Sequence, residues 1–189
     1  PFAPFSLISD YTLARALWMT LLESAYLVSL YLALALAKMK PKMIQLTILG
    51  IFVLFNANFA QGLIDGNPAG VVFLFFILSL YLIEKENDRL AGVFLALSTM
   101  KPQMTVIAIT LLLVWAVVKK RRQIVLYTLL TGAILVGVSL LIFPSWMTAF
   151  YRQITAYSNY SYPATPSAIF RYWLPAPIAG VSAAVISIF

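Results

Sequence analysis

The chain has 189 residues, of which 62% are hydrophobic and 10% charged, with a mean hydropathy of +0.94; soluble domains carry roughly 45–50% apolar and about 25% charged residues. One soluble core cannot hide that much apolar surface, so the composition predicts a multi-span membrane protein made of helices, in one domain. The absence of cysteine and histidine excludes disulfides, thiolate zinc sites, thiol nucleophiles and histidine bases or ligands within these residues, and the net charge of +7 reads as basic loop anchors rather than a nucleic-acid surface.

Apolar runs between charge clusters lay out the spans in order. A first helix is predicted from Tyr11 to Ala37, ending at Lys38-Met39-Lys40-Pro41-Lys42. A second covers Met43 to Ala60, and the polar turn Gln61 to Pro68 follows, with Pro68 suited to a helix start. A third, Ala69 to Ile83, runs into the charged stretch Glu84 to Arg89. Two short arms, Leu90–Met100 and Met104–Val118, are split by Lys101-Pro102-Gln103 and closed by Lys119 to Arg122. Another span, Gln123 to Phe143, stops at Pro144, and a polar, aromatic loop is expected over residues 144–173 before a last apolar run. The chain begins at Pro1 without Met and stops inside that run, which suggests a piece of a longer protein.

The positive-inside rule sets an orientation. With 38–42 and 119–122 cytoplasmic, the loop 84–89 also faces inside, and the turn 61–68 and the loop 144–173 face outside. The two arms between Leu90 and Val118 are too short for two full spans of about 20 residues each. Their apex, Lys101-Pro102-Gln103, is therefore expected below the outer surface. An ionisable residue at that depth points to function; the alternative is a lysine snorkelling to the interface, with Pro102 opening the next helix. Lysine is a common phosphate binder. A lipid-linked phosphate suits the depth, because its tail stays in the bilayer while its head reaches a cavity. On the same outer side lie Asn56, Asn58, Gln61, Asp65 and Asn67. Amides of this kind serve sugar hydroxyls by donating and accepting, or else bond between helices.

The stretch "GNPAGVVFLFFILSLYLIEKENDRLAGVFLALSTMKPQ" resembles the core of glycosyltransferase family 87, the integral-membrane, polyprenol-phosphate-mannose-dependent type. The matching positions are Gly66-Asn67, Ala91-Gly92 and Lys101-Pro102-Gln103. Upstream, "PFAPFSLISDYTLARALWMTL" is similar to the family's proline-rich stretch and the helix after it, with Trp18 in the matching place; "FPSWMTAFYRQITAYSNYSY" resembles the family's outer loop. The resemblance implies a GT-C fold: a helical membrane body around an outward-facing cavity, moving a hexose, expected to be mannose, from a polyprenyl-phosphate donor to a glycolipid or glycan acceptor. It implies that Lys101 holds the donor phosphate and that Asn67 and Gln103 line the same cavity, joined on the sequence reading by Gln61, Asn58 and Asp65. In the family the catalytic Asp lies upstream of the proline-rich stretch, a segment outside these residues, so the 189 residues alone are expected to be inactive. Asp10 follows that stretch and is not promoted to base.

Secondary candidates are Glu23, deep in the first helix, and Arg152 and Arg171 in the outer loop, where the aromatic residues fit an interfacial belt. Arg15 precedes Glu23 by about 12 Å along the axis, too far for direct pairing. Glu84 to Arg89 reads as a solvated loop and Lys119 to Arg122 as a topology anchor. No cofactor is predicted, and dependence on a divalent metal stays open because no ligand cluster occurs. Two other classes compete: a transporter of an anionic or lipid-linked substrate, against which no inverted repeat is visible, and a non-catalytic scaffold, which leaves Lys101 unexplained.

Overall fold

The computed structural model describes residues 7–157, apart from the side chains of residues 57, 58, 103 and 153–157. Every regular element among them is helical. The helices are α1 (Tyr11–Leu36), α2 (Met43–Phe55), α3 (Ala57–Ile64), α4 (Ala69–Glu84), α5 (Asp88–Leu97), α6 (Pro102–Val118), α7 (Arg122–Ile142) and α8 (Trp146–Tyr157), with one 3-10 turn, Ser98–Met100, after α5. The chain divides into two compact units, one through Val136 and the other from Gly137.

Charge and turn chemistry place most helix ends. Asp10 caps α1, its carboxylate accepting from the Thr12 and Leu13 amides, which consumes it structurally. Asn87 caps α5 by accepting from Leu90 N–H. The C-termini of α1, α3, α4 and α6 close through the same left-handed residue, at Lys38, Gly66, Glu86 and Lys120. Each is sealed by a six-residue backbone bond, such as Asn67 N–H to Gly62 C=O at 2.8 Å.

In the first unit, α1 and α4 run parallel. Trp18 meets Gly66 near their N-termini, Tyr26 packs on Gly70, and Lys38 stands 3.6 Å from Glu84 at their C-terminal ends. Helix α5 returns antiparallel to α4: Ser79 Oγ donates to Ala91 C=O at 2.9 Å, and the rings of Phe75 and Phe94 lie 5.8 Å apart. Helix α7 lies along α5, where Gly92 lets the backbones approach and Thr128 Oγ1 donates to the Gly92 carbonyl. Leu95, Ile109, Ala116 and Ile124 from α5, α6 and α7 form the buried core cluster.

Among the described residues two helices, α1 and α7, are long and apolar enough to cross a membrane. Only 22% of the apolar window of α1 and 11% of that of α7 is buried within the chain. A core helix of a soluble protein would be covered; these present their leucines and isoleucines outward, as lipid-facing helices do. The other elements are shorter. At 1.5 Å per residue, α4 and α6 reach only about 25 Å against a hydrocarbon core of about 30 Å.

Two elements differ from the sequence expectation. The second predicted span, Met43–Ala60, breaks at Asn56, whose backbone is extended (φ −63°, ψ 135°), and the chain resumes as α3 through Ile64. The Asn56 carbonyl accepts from Phe59 and Ala60, so this residue ends one helix and opens the next, a role asparagine fills better than a helix interior. The predicted loop over 144–173 begins instead with α8, in the second unit; residues 158–173 and the final apolar run lie outside the described residues.

Candidate functional site

The site forms where two chain reversals meet at the α4 N-terminus. The first is the turn between α3 and α4. Gly66 adopts φ +63°, a conformation that costs a residue with a Cβ about 1–2 kcal/mol. The Trp18 indole N–H, buried in α1, donates to the Gly66 carbonyl at 3.0 Å and fixes the turn across 48 residues of sequence. The next residue, Asn67, folds its side chain back so that Oδ1 accepts from Ala69 N–H at 3.1 Å, satisfying one open donor of α4.

The second reversal is the break between α5 and α6. Ser98 and Thr99 turn their hydroxyls onto the Leu95 and Ala96 carbonyls, and Thr105 of α6 donates to the Ser98 carbonyl at 3.0 Å. The hydroxyls thus meet backbone groups that a continuous helix would have bonded itself. Pro102 occupies the first position of α6, where a missing amide hydrogen costs nothing. Lys101, between the two segments at φ −132° and ψ 78°, is carried to the Asn67 turn. Its ammonium donates to Asn67 Oδ1 at 2.8 Å and is partly buried.

This contact leaves the lysine charge uncompensated. Among the described residues the ion pairs are Lys38–Glu84 and Arg121–Asp88, so the partner of Lys101 is a neutral carboxamide. The N-termini of α4 and α6 also converge here, each adding partial positive charge. A partly buried ammonium beside two positive helix ends, with no ion-paired carboxylate among the described residues, suits an anion.

Its depth follows from α1. Trp18 stands seven residues into that helix, so the Gly66 carbonyl it holds lies about 10 Å below the helix start. At the opposite end the charged loops gather: Lys38 faces Glu84, while Arg121 grips the Asp88 carboxylate with two guanidinium nitrogens and also donates to the Ile83 carbonyl at 3.0 Å. Both basic clusters and the acidic run therefore share one end of the first unit, and Lys101 sits toward the other.

The remaining candidates separate into groups. Asn67 and Lys101 come together through their hydrogen bond. Gln61 and Asp65 instead engage each other on the exposed face of α3, the amide donating to both carboxylate oxygens at 3.0 and 3.1 Å. Asn58 lies on α3 and Gln103 in the first turn of α6. Glu23 is exposed on α1, with no ion pair among the described residues; Arg152 lies on α8, in the second unit, and Arg171 outside the described residues. No group of three or more potential metal-ligating side chains occurs among the described residues.

Two contacts are not evident from the sequence. Trp18 has a matching position, but its bond to Gly66 requires the register of α1 against α4. Arg121 and Asp88 read as an anchor and part of a solvated loop; the signal for their pairing is that opposite charges in both segments fall on the same side. Compared with known proteins, the model of glycosyltransferase family 87 matches residues 1–189. Neither the curated proteins nor the solved structures contain a match to the chain.

Proposed function

The chain belongs to glycosyltransferase family 87, and from that premise we propose that this membrane glycosyltransferase moves a hexose, mannose in our reading, from a polyprenyl-phosphate donor to a glycan or glycolipid acceptor. The observation that carries the reading is Lys101: a partly buried ammonium bonded only to the neutral Asn67 among the described residues. A polyprenyl phosphate supplies the anion such a group needs, with its lipid tail kept in the bilayer.

The reaction in this proposal is an inverting displacement. The acceptor oxygen attacks the anomeric carbon, a carboxylate takes the hydroxyl proton, and the bond from sugar to phosphate oxygen breaks with its electron pair on the phosphate. In this reading Lys101 faces the phosphate where that charge collects. A preorganised cation of this kind lowers the barrier because it gains more from the transition state than from the bound donor. Gln103, in the first turn of α6, Asn58 and Gln61 of α3 and Asp65 just after it are assigned to the sugar and acceptor side. The GT-C-like helical body is oriented by the positive-inside rule, with loops 38–42 and 119–122 cytoplasmic and the Lys101 end extracytoplasmic.

The test uses the full-length protein in liposomes with radiolabelled polyprenyl-phosphate mannose. Wild type transfers label, and Lys101→Ala loses about a hundredfold or more in turnover while remaining folded. Activity in Lys101→Ala equal to wild type removes Lys101 from the reaction. Failure of wild type to use the donor overturns the donor assignment.

A further inference from the structure

The Lys101–Asn67 contact fixes the orientation of the asparagine as well as that of the lysine. Two donors converge on one side-chain oxygen: Ala69 N–H at 3.1 Å and Lys101 Nζ at 2.8 Å. Turning the amide over would set its NH₂ group against an N–H and an ammonium. Oδ1 is therefore committed, and Nδ2 carries both amide hydrogens away from those partners. Among the described residues no acceptor takes them. The ammonium keeps two of its three protons unassigned on the same criterion. The site thus offers hydrogen-bond donors from two side chains, with no carboxylate ion-paired to Lys101 among the described residues.

Donors alone discriminate between two forms of one phosphate. In the lipid-linked sugar, the phosphate is a diester with one negative charge. After transfer it is a monoester, which carries close to two negative charges at neutral pH and three strong acceptor oxygens. Each added charge and acceptor strengthens the interaction with an ammonium and an amide already facing it.

We propose that Lys101 and the Asn67 amide nitrogen form a clamp that prefers the spent lipid phosphate monoester to the phosphodiester donor. This deepens the glycosyltransferase reading and rests on it: the same preference that stabilises the leaving group makes the released polyprenyl phosphate a tight product and a competitive inhibitor. Asn67 is then a donor to phosphate oxygen, and Trp18, which holds the Gly66 carbonyl, is the positioning residue that keeps Asn67 in register.

The experiment measures equilibrium binding of two probes to the full-length protein in nanodiscs: polyprenyl phosphate and its methyl ester, a diester lacking sugar. Wild type binds the monoester more tightly by about tenfold or more. In Asn67→Asp the carboxylate still caps Ala69 but neutralises Lys101 and removes both amide hydrogens, so the preference disappears while the thermal midpoint is retained. Lys101→Arg keeps the charge and retains a preference. Equal binding of the two probes by wild type, or an undiminished preference in a folded Asn67→Asp protein, overturns the proposal. A parallel transfer assay separates the two claims. Transfer with no monoester preference defeats the clamp alone, and preference without transfer defeats the glycosyltransferase reading alone.

Discussion

Trp18 and Gly66, 48 positions apart, are joined by an indole N–H that donates to a backbone carbonyl at 3.0 Å. The bond ties a long helix to the turn carrying Asn67, so α1 controls a contact in which it takes no part. The ring packs beside the position a Cβ would occupy at Gly66, 3.6 Å from the indole nitrogen.

Trp18→Phe keeps most of the buried ring surface and removes the donor. The Gly66 carbonyl then lacks that partner in a partly buried setting, which costs about 1–3 kcal/mol. The expected outcome is a lower thermal midpoint together with a raised KM for the proposed lipid donor, because the Asn67 turn loses its brace. An unchanged KM in a destabilised Trp18→Phe protein assigns the bond to stability only.

Gly92→Ala tests the close backbone contact between α5 and α7. A Cβ there would sit 2.6 Å from the Ile124 carbonyl oxygen and 3.0 Å from the Thr128 amide nitrogen. Both are backbone atoms of α7, so no side chain can swing aside, and the helices must separate. Overpacking of this kind costs about 1–3 kcal/mol. Gly132→Ala, where nothing lies within 4 Å, is the control: alanine is the better helix former by up to about 1 kcal/mol. Denaturation in detergent that ranks Gly132→Ala below Gly92→Ala contradicts the α5–α7 contact.

These residues also show which parts of the molecule were readable in one sequence. The Lys101-Pro102 break and the edges of α1, α4 and α6 follow from local chemistry: charge clusters, a proline that fits the first turn of a helix, and apolar runs between them. Asn56 marks the limit of that reading. It has no glycine or proline within five residues on either side, and its role in ending α2 depends on backbone bonds that composition does not encode. Trp18–Gly66 and Asp88–Arg121 were out of reach for a different reason. Periodicity assigns a face to a helix, whereas these pairs depend on the register between helices distant in sequence.

The two ion pairs among the described residues should respond differently to mutation. Arg121 and Asp88 are 23% and 18% exposed, and the guanidinium also holds the Ile83 carbonyl, joining the end of α4, the start of α5 and the entry to α7. Arg121→Ala leaves a partly buried carboxylate and carbonyl without that partner, and a loss of about 1–3 kcal/mol is expected. Arg121→Ala and Asp88→Asn combined should lose less than the sum of the single changes, since both remove one interaction. Lys38 and Glu84 are 81% and 55% exposed, and solvent screens such pairs, so Lys38→Ala should change stability by no more than about 0.5 kcal/mol. A double-mutant cycle with additive losses at Arg121 and Asp88 would remove the coupling.

The sidedness of the site can be read chemically because these 189 residues contain no cysteine. Lys40 lies in the exposed loop after α1, beside the end where Lys38 faces Glu84; Asp65 is exposed at the end of α3, next to the Gly66 turn. The two positions therefore mark opposite ends of the first unit. Lys40→Cys and Asp65→Cys are introduced singly into a full-length background freed of any flanking cysteine. A membrane-impermeant maleimide applied to intact cells should label Asp65→Cys, and Lys40→Cys only after permeabilisation. That pattern puts the Lys101 end outside, where the proposed lipid-linked donor would meet it, and the basic clusters inside, where anionic lipid headgroups favour them. The reverse pattern inverts the topology and moves the proposed transfer to the cytoplasmic face.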